Sequence, residues 1–121
     1  MANDKAFKVK NGLQAGRYLL SNGVITTGTG TASLNLSTGT HFSFTPSGAT
    51  TVSFTNPPAS GLAIGFVVEI NGDGSAITWP DSVKWHEATT PTVTATKELY
   101  TFITVDGGTT YYGKRAAKGL A

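Results

Sequence analysis

Apolar and polar residues alternate along much of this chain, and this pattern limits the possible folds more than its other features do. Leu34 and Leu36 alternate with serine and asparagine, and Phe42 and Phe44 alternate with serine and threonine. A period of two is typical of a strand that buries one face, whereas a helix repeats its apolar residues every three or four positions. Helical spacing occurs only weakly, over residues 114–120. The chain is therefore predicted to be all-β.

Turn residues divide the alternating runs into short strands. The runs and turns predict three hairpins: one within residues 32–54, one across Asn71-Gly72-Asp73-Gly74 between residues 62–70 and 76–79, and one across Asp106-Gly107-Gly108 between residues 98–105 and 109–113. Turns at such short, regular intervals are typical of two packed sheets. We expect an antiparallel, jelly-roll-like β-sandwich of roughly eight strands.

The beginning of the chain lacks this regular alternation. Phe7 and Val9 alternate with lysines as in a short strand, but residues 26–31 contain no large apolar side chain to bury. The whole chain has 121 residues, which is the size of one domain. We therefore expect an extended N-terminal arm and linker over residues 1–31, and a β-sandwich domain over residues 32–121 with a short basic C-terminal tail.

Charge is distributed unevenly along the chain. Residues 1–20 and 114–121 together carry seven of the nine basic residues and one of the seven acidic residues. The basic residues of the two ends are Lys5, Lys8, Lys10, Arg17, Lys114, Arg115 and Lys118. The body between them is acidic, so we expect the basic ends to bind acidic surfaces of partner proteins.

The residues suggest no enzyme, cofactor or metal site. His41 lies in an alternating run, where a strand position at an edge or surface is the simpler interpretation, and His86 lies beside Glu87 in a polar loop. Two separate histidines make a weak metal constellation, and the chain has no cysteine. Asn71-Gly72-Asp73-Gly74 lacks the glutamate of a dedicated calcium loop, so a turn is favoured. Gly28-Thr29-Gly30 lacks the third glycine of a dinucleotide fingerprint.

The two tryptophans and the lengths of the apolar stretches indicate whether a sugar, a nucleic acid or a membrane is an expected partner. Trp79 and Trp85 could stack on a sugar or a base, but we expect both to be structural core residues that close one end of the sandwich. Nucleic-acid binding is not expected, because most aromatic residues lie in the acidic body and not among the lysines. No membrane association is expected either, since no apolar stretch has the length of a signal peptide or a bilayer span.

Several motifs resemble the C-terminal modules of tailed-bacteriophage virion proteins. They are Phe7-Lys8-Val9-Lys10-Asn11-Gly12-Leu13, Asn56-Pro57-Pro58-Ala59-Ser60-Gly61, Ile77-Thr78-Trp79-Pro80-Asp81-Ser82-Val83-Lys84-Trp85, Thr90-Pro91-Thr92-Val93-Thr94-Ala95, Leu99-Tyr100-Thr101-Phe102 and Asp106-Gly107-Gly108-Thr109-Thr110-Tyr111-Tyr112-Gly113. Their order and spacing match as well as their composition. The similarity extends over nearly the whole chain. The modules that the chain resembles occur in tail-fibre tips and in small free-standing virion proteins.

This resemblance implies a structural protein of the virion that is assembled in the host bacterial cytoplasm. Because no long repetitive shaft precedes the module, the chain is most similar to a capsid decoration, or cement, protein. Such a protein is a small β-rich subunit, commonly a trimer, that binds major capsid protein subunits. The alternative is a tail or tail-fibre component that binds the host surface. We expect the seven basic residues of the two ends to contact the capsid.

Overall fold

The computed structural model describes residues 10–11, 14, 16–17, 19–25 and 30–121. These residues form nine strands, and residues 86–88 form one short 3₁₀ turn. The strands are β1 (Asn22–Ile25), β2 (Thr31–Asn35), β3 (His41–Phe44), β4 (Thr50–Thr55), β5 (Ile64–Asn71), β6 (Ile77–Thr78), β7 (Val83–Trp85), β8 (Lys97–Thr104) and β9 (Tyr111–Ala117). The prediction of an all-β protein is therefore confirmed.

The strands form two sheets. The larger sheet has the order β1-β3-β5-β8-β9-β7, and the smaller sheet has the order β2-β4-β6. One face of each sheet is lined by apolar residues, as the alternation predicts: Phe66, Val68 and Ile70 of β5 are buried, and the residues between them are not. The predicted two-sheet, sandwich-like class is confirmed.

The first six strands wind as a coil between the two sheets. The strands β1, β3 and β5 lie in the larger sheet and pair in parallel, and the intervening strands β2, β4 and β6 pair in parallel in the smaller sheet. Each step along the chain therefore crosses to the opposite sheet, as in a β-solenoid. We refer to strands β1–β6 as the coil.

The last strands close the larger sheet with a different pairing. Strand β8 lies antiparallel to both β5 and β9, while β7 forms the sheet's other edge in parallel with β9. The predicted hairpin across Asp106-Gly107-Gly108 is confirmed. Its turn is held by the Thr110 N–H, which donates to Oδ1 of Asp106 at 2.9 Å, and by two glycines with positive φ of 72° and 83°.

The other two predicted hairpins are wrong, and the antiparallel, jelly-roll-like pairing differs from the structure. Among the described strands, five pairings are parallel and two are antiparallel. At the Asn71-Gly72-Asp73-Gly74 turn, the Gly72 N–H donates to the carbonyl oxygen of Thr96 at 3.1 Å. The chain then crosses to the smaller sheet, where the Thr50 N–H donates to the carbonyl oxygen of Ala76 at 2.9 Å. The turn thus connects two sheets, whereas a hairpin joins neighbours in one sheet.

Aromatic rings fill the space between the two sheets. Phe54, from the smaller sheet, contacts Phe66 and Phe102 of the larger sheet with ring centroids 5.1 Å apart in each pair. It also contacts Tyr111 with a centroid distance of 4.7 Å. Aromatic pairs in such tilted geometries contribute about 0.5–1.5 kcal/mol beyond their buried area. The core therefore connects the coil to the hairpin of β8 and β9.

The predicted arm contains one strand of the sheet. Strand β1 lies within residues 1–31 and pairs with β3, so part of this segment belongs to the β-domain. Strand β2 begins at Thr31, one residue before the predicted domain start. Residues 1–9 and 26–29, which include most of the predicted arm strand and the linker, lie outside the described residues.

Candidate functional site

Over β8, β9 and β7, the described residues leave the outer face of the larger sheet largely open. Its inner face packs against the smaller sheet, but its outer face carries apolar side chains that are largely exposed. Tyr112 is 56% exposed, and Ile103, its neighbour in the register, is 43% exposed. Exposed apolar residues that lie together on one face of a small protein often mark a binding surface. The outer face is therefore the best candidate for a functional surface.

A groove with a volume of about 440 Å³ lies on this outer face, across β8, β9 and β7. Three consecutive residues from each strand region line it, namely residues 84–86, 101–103 and 112–114. The register places Gly113 between Phe102 of β8 and Trp85 of β7. Side chains alternate between the faces of a sheet, so these three central residues point inward and their backbone forms the floor.

The outward residues form two rows along the sides of the groove. Ile103 pairs with Tyr112, which pairs with Lys84, and these three form the first row. Thr101 pairs with Lys114, and His86, which follows β7, extends this second row. The end of the groove over β8 is thus neutral and partly apolar, whereas the end over β9 and β7 is cationic.

Gly113 belongs to the floor of the groove and leaves room for core side chains beneath it. A Cβ atom at Gly113 would lie 2.7 Å from a ring carbon of Phe102 and 3.0 Å from Cγ1 of Val83. These distances are too short for ordinary packing, so the glycine lets the Phe102 ring lie directly beneath β9. The same ring stacks on Phe66 at a centroid distance of 5.3 Å, which ties the floor of the groove to the core.

The two tryptophans lie behind this floor. Trp79 is 6% exposed and belongs to the core, whereas Trp85 is half-buried and packs against it. Their rings meet edge to face with centroids 5.3 Å apart, and both rings also contact Tyr100 and Phe102. A second cavity of about 390 Å³ is lined by both tryptophans together with Thr78, Asp81 and Thr90. Trp79 is thus a core residue, and Trp85 lies at the edge of the core.

Arg115 forms an ion pair with a buried carboxylate and does not lie in a basic tail. Glu98 is fully buried, and its Oε1 lies 3.4 Å from Nη1 of Arg115 and accepts a hydrogen bond of 2.6 Å from the Tyr100 hydroxyl. Its Oε2 accepts hydrogen bonds from the backbone N–H of Thr94, at 2.6 Å, and from the Thr94 hydroxyl. Arg115 also donates to the carbonyl oxygen of Thr92 at 2.8 Å. These contacts attach residues 92–94 to β8 and β9.

The pKa of Glu98 reflects this network. Burial raises the pKa of the carboxyl, but the hydrogen bonds from Thr94 and Tyr100 and the positive charge of Arg115 outweigh burial and hold the pKa below its ordinary value. The pKa of Tyr100 is raised, chiefly by burial and then by its hydrogen bond to Glu98. The carboxyl therefore stays ionised and the phenol stays protonated at neutral pH.

The structure places the remaining basic residues of the two ends differently. Lys10, Arg17, Lys114 and Lys118 are exposed, while Lys5 and Lys8 lie outside the described residues. Lys114 belongs to strand β9 and lines the groove. The chain after Lys118 folds back, because the N–H of Gly119 donates to Oγ1 of Thr96 at 2.9 Å. Of the seven predicted contact residues, Arg115 is thus engaged by Glu98 and Lys114 lines the groove. Contact of the seven with a capsid stays a prediction.

The histidines have ordinary structural surroundings. Nδ1 of His41 lies 2.7 Å from Oδ1 of Asn22, and β3 is an inner strand of its sheet. His86 is exposed, and its Nε2 lies 3.8 Å from Oε1 of Glu87. The described ranges contain no group of three or more histidines and carboxylates that could hold a metal ion. They also contain no helix that is long and apolar enough to cross a membrane.

No protein-family model, no curated protein and no solved structure matches this chain. The candidate site is therefore defined by its own geometry. Sequence reasoning missed the groove, because Lys84 and Tyr112 are far apart in the chain and become neighbours only through the parallel pairing of β7 with β9. The one available signal is the alternation in β9, which places Tyr112 and Lys114 on the same face.

Proposed function

We propose that this protein is a non-enzymatic structural component of a tailed-bacteriophage virion. Its role in this proposal is that of a capsid decoration protein that binds and stabilises the shell of major capsid protein subunits. The observation that carries the proposal is the open outer face of the larger sheet, which exposes Ile103 and Tyr112 next to Lys84 and Lys114. Such a surface places apolar side chains beside charged ones, as interfaces between proteins do.

The basic residues near the N-terminus support attachment over a distance. Lys10 and Arg17 are exposed and precede the first strand of the sheet. An extended chain spans about 3.3 Å per residue, so the residues that precede β1 could together reach a neighbouring shell subunit. Contacts of one arm are weak, but a trimer that presents three arms would bind with higher avidity. We therefore propose a homotrimer, which light scattering on the purified protein would test.

The alternative is a tail or tail-fibre component that binds the host surface. The half-buried ring of Trp85 and the second cavity, which Thr78, Asp81 and Thr90 also line, favour this alternative. Aromatic rings beside hydroxyl and carboxylate groups are suited to a saccharide. In this case the protein would contact a host glycan through this cavity, and the outer face would contact other tail proteins.

Copy number and position on the particle separate the two functions. Quantitative mass spectrometry of purified virions, together with antibody labelling in electron micrographs, measures both. We expect many copies that are spread over the capsid. Virions from which the protein has been removed should then lose shell strength and retain adsorption to the host. A few copies at the tail, with loss of adsorption, would overturn the decoration function in favour of the tail.

A further inference from the structure

We propose that the groove across β8, β9 and β7 binds a short extended segment of a shell subunit, with an apolar side chain over β8 and a carboxylate over β7. This inference rests on the proposed function and identifies the chemistry of its partner. It follows from the length of the groove, the unpaired charge at one end and the apolar residues at the other.

The dimensions of the groove suit an extended chain that crosses the strands. Neighbouring strands lie about 4.8 Å apart, so the distance from β8 to β7 is about 10 Å. An extended polypeptide covers this distance with about three residues. Its alternate side chains lie on one face, so two residues that are separated by a third can both point into the groove.

Charge at the end over β9 and β7 favours an acidic partner. Neither Lys84 nor Lys114 lies in an ion pair with any described residue. In contrast, Lys97 lies 3.7 Å from Glu69, and Arg115 is engaged by Glu98. His86 is the third side chain in the groove that can carry a positive charge, and its Nε2 already lies 3.8 Å from Oε1 of Glu87. The two lysines are therefore the groups that a carboxylate of the partner would meet.

The end over β8 favours an apolar side chain. Ile103 of β8 and Tyr112 of the adjacent strand β9 are neighbours in the register and remain 43% and 56% exposed. Burial of this surface by a leucine or a similar residue would be favourable. A single-stranded nucleic acid would instead require several exposed rings for successive bases. Tyr112 is the one phenylalanine, tyrosine or tryptophan that points outward among the residues lining the groove, so a polypeptide segment is favoured.

Fluorescence anisotropy with a labelled peptide tests this inference directly. The probe is a short glycine-serine peptide that carries one leucine and, two positions later, a pair of glutamates. A second peptide with lysines in place of the glutamates is the control probe. We expect the full-length protein to bind the acidic peptide in preference to the basic one. The double variant Lys84→Glu/Lys114→Glu should bind the acidic peptide at least about tenfold more weakly.

A second double variant controls for net charge. Lys10→Glu/Lys118→Glu changes the net charge by the same amount, but both residues are exposed and neither lines the groove. It should retain most of the binding, whereas Tyr112→Ala should lose most of it. Circular dichroism confirms that each variant is folded. Equal weakening by the two double variants would overturn the inference, as would tighter binding of oligothymidine than of the acidic peptide.

The outcome for the groove can be distinguished from the outcome for the function. If Lys84→Glu/Lys114→Glu is incorporated into capsids as well as the parent protein is, the groove inference fails and the decoration function stands. If the parent protein is found only at the tail, the decoration function fails whatever the peptide measurements show. Loss of both peptide binding and capsid incorporation in the groove variant, while the charge-matched control retains peptide binding, supports the inference.

Discussion

Glu98 is a buried carboxylate with one arginine as its counter-charge. The side chain is inaccessible to solvent, and Arg115 provides the positive charge next to it. Without Arg115 the carboxylate would keep its hydrogen bonds from Thr94 and Tyr100, so the expected cost is that of a lost hydrogen bond to a charged group, about 1.5–3 kcal/mol. We expect Arg115→Ala to lower the free energy of unfolding by about this amount, measured by urea denaturation.

The neighbouring lysine provides the control for this prediction. Lys114 lies on the same strand but points outward, so Lys114→Ala should change the free energy of unfolding by about 0.5 kcal/mol or less. If Arg115→Ala were as stable as Lys114→Ala, the pair with Glu98 would not contribute to stability. Arg115 would then again be a candidate for a docking residue.

The lowered pKa of Glu98 predicts a loss of stability in acid. A carboxyl whose pKa is lower in the folded than in the unfolded state stabilises the fold above its ordinary pKa of 4.5. This contribution is lost as the pH falls through the folded-state pKa. The pKa of Asp106 is also lowered, chiefly by the Thr110 N–H, so part of the effect comes from the hairpin turn.

The variant Glu98→Gln should remove one part of this pH dependence. It is expected to be less stable than the parent at neutral pH, because Arg115 then lacks its buried counter-charge. Its stability should fall less steeply below pH 4.5, the ordinary value for the carboxyl. Thermal melts at a series of pH values measure the slope. A slope equal to that of the parent would show that Glu98 does not titrate in this range.

The two tryptophans should differ in their effect on stability. Trp79→Ala removes a ring that is 6% exposed and should cost about 3–5 kcal/mol. Trp85→Ala should cost less, because part of this ring is already in contact with solvent. Denaturation of both variants tests the order. A larger cost for Trp85 would contradict it, and loss of glycan binding by a stable Trp85→Ala variant would favour the tail function.

Some of these residue roles could be predicted from the sequence, and others could not. Trp79 follows a short apolar run and precedes a proline, so its structural role can be predicted from the sequence. The role of Arg115 was not, because a count of charges along the chain does not tell which face of a strand each residue occupies. In β9 the inward positions are 111, 113 and 115, and the buried acid that Arg115 meets lies on β8.

The coil of β1–β6 shows why alternation predicts strands but not their partners. A strand that buries one face has the same period of two in a hairpin and in a parallel coil. Loop length does not decide between them here, because Asn71-Gly72-Asp73-Gly74 has the residues of a hairpin turn and yet leads to the other sheet. The direction of pairing is decided by contacts between distant residues, such as Thr50 with Ala76. The hairpin of β8 and β9, in contrast, is held by a local turn.

Strand β9 depends on Gly113 for its place in the larger sheet. The glycine leaves room for the ring of Phe102, to which an added Cβ would lie as close as 2.7 Å. Gly113→Ala should therefore displace this ring and lower the free energy of unfolding by about 1–3 kcal/mol, as overpacking does. The expected loss is measured by urea denaturation. Gly16→Ala is a suitable control, since nothing lies within 4 Å of a Cβ there.

The same substitution also tests whether the floor of the groove is rigid. Movement of the Phe102 ring should alter the groove as well as the core, so Gly113→Ala should also weaken binding of the acidic peptide. A variant that is as stable as the parent would contradict the close packing at this position. It would also show that the sheet can shift to accommodate a methyl group.

The molecule combines a β-domain with a basic N-terminal segment, and a pair of deletions separates their roles. Deletion of residues 1–12 removes Lys5, Lys8 and Lys10 but none of the described strands. The circular dichroism spectrum and melting temperature should therefore be unchanged. In the proposed function, attachment to bare expanded capsids should be lost, and raised salt should weaken attachment of the intact protein because exposed charges are screened.

A longer deletion, of residues 1–30, is the structural control. It removes β1 and therefore also Gly23, which packs against the Phe42 ring. The packing is close, because a Cβ placed at Gly23 would lie 3.1 Å from that ring. Strand β3 would then become an open edge that is prone to pair with other chains. This deletion should lower the melting temperature and promote aggregation, whereas the shorter one should do neither. If the protein without residues 1–12 still decorates capsids as the parent does, the basic segment is not the attachment site, and the outer face alone must account for binding.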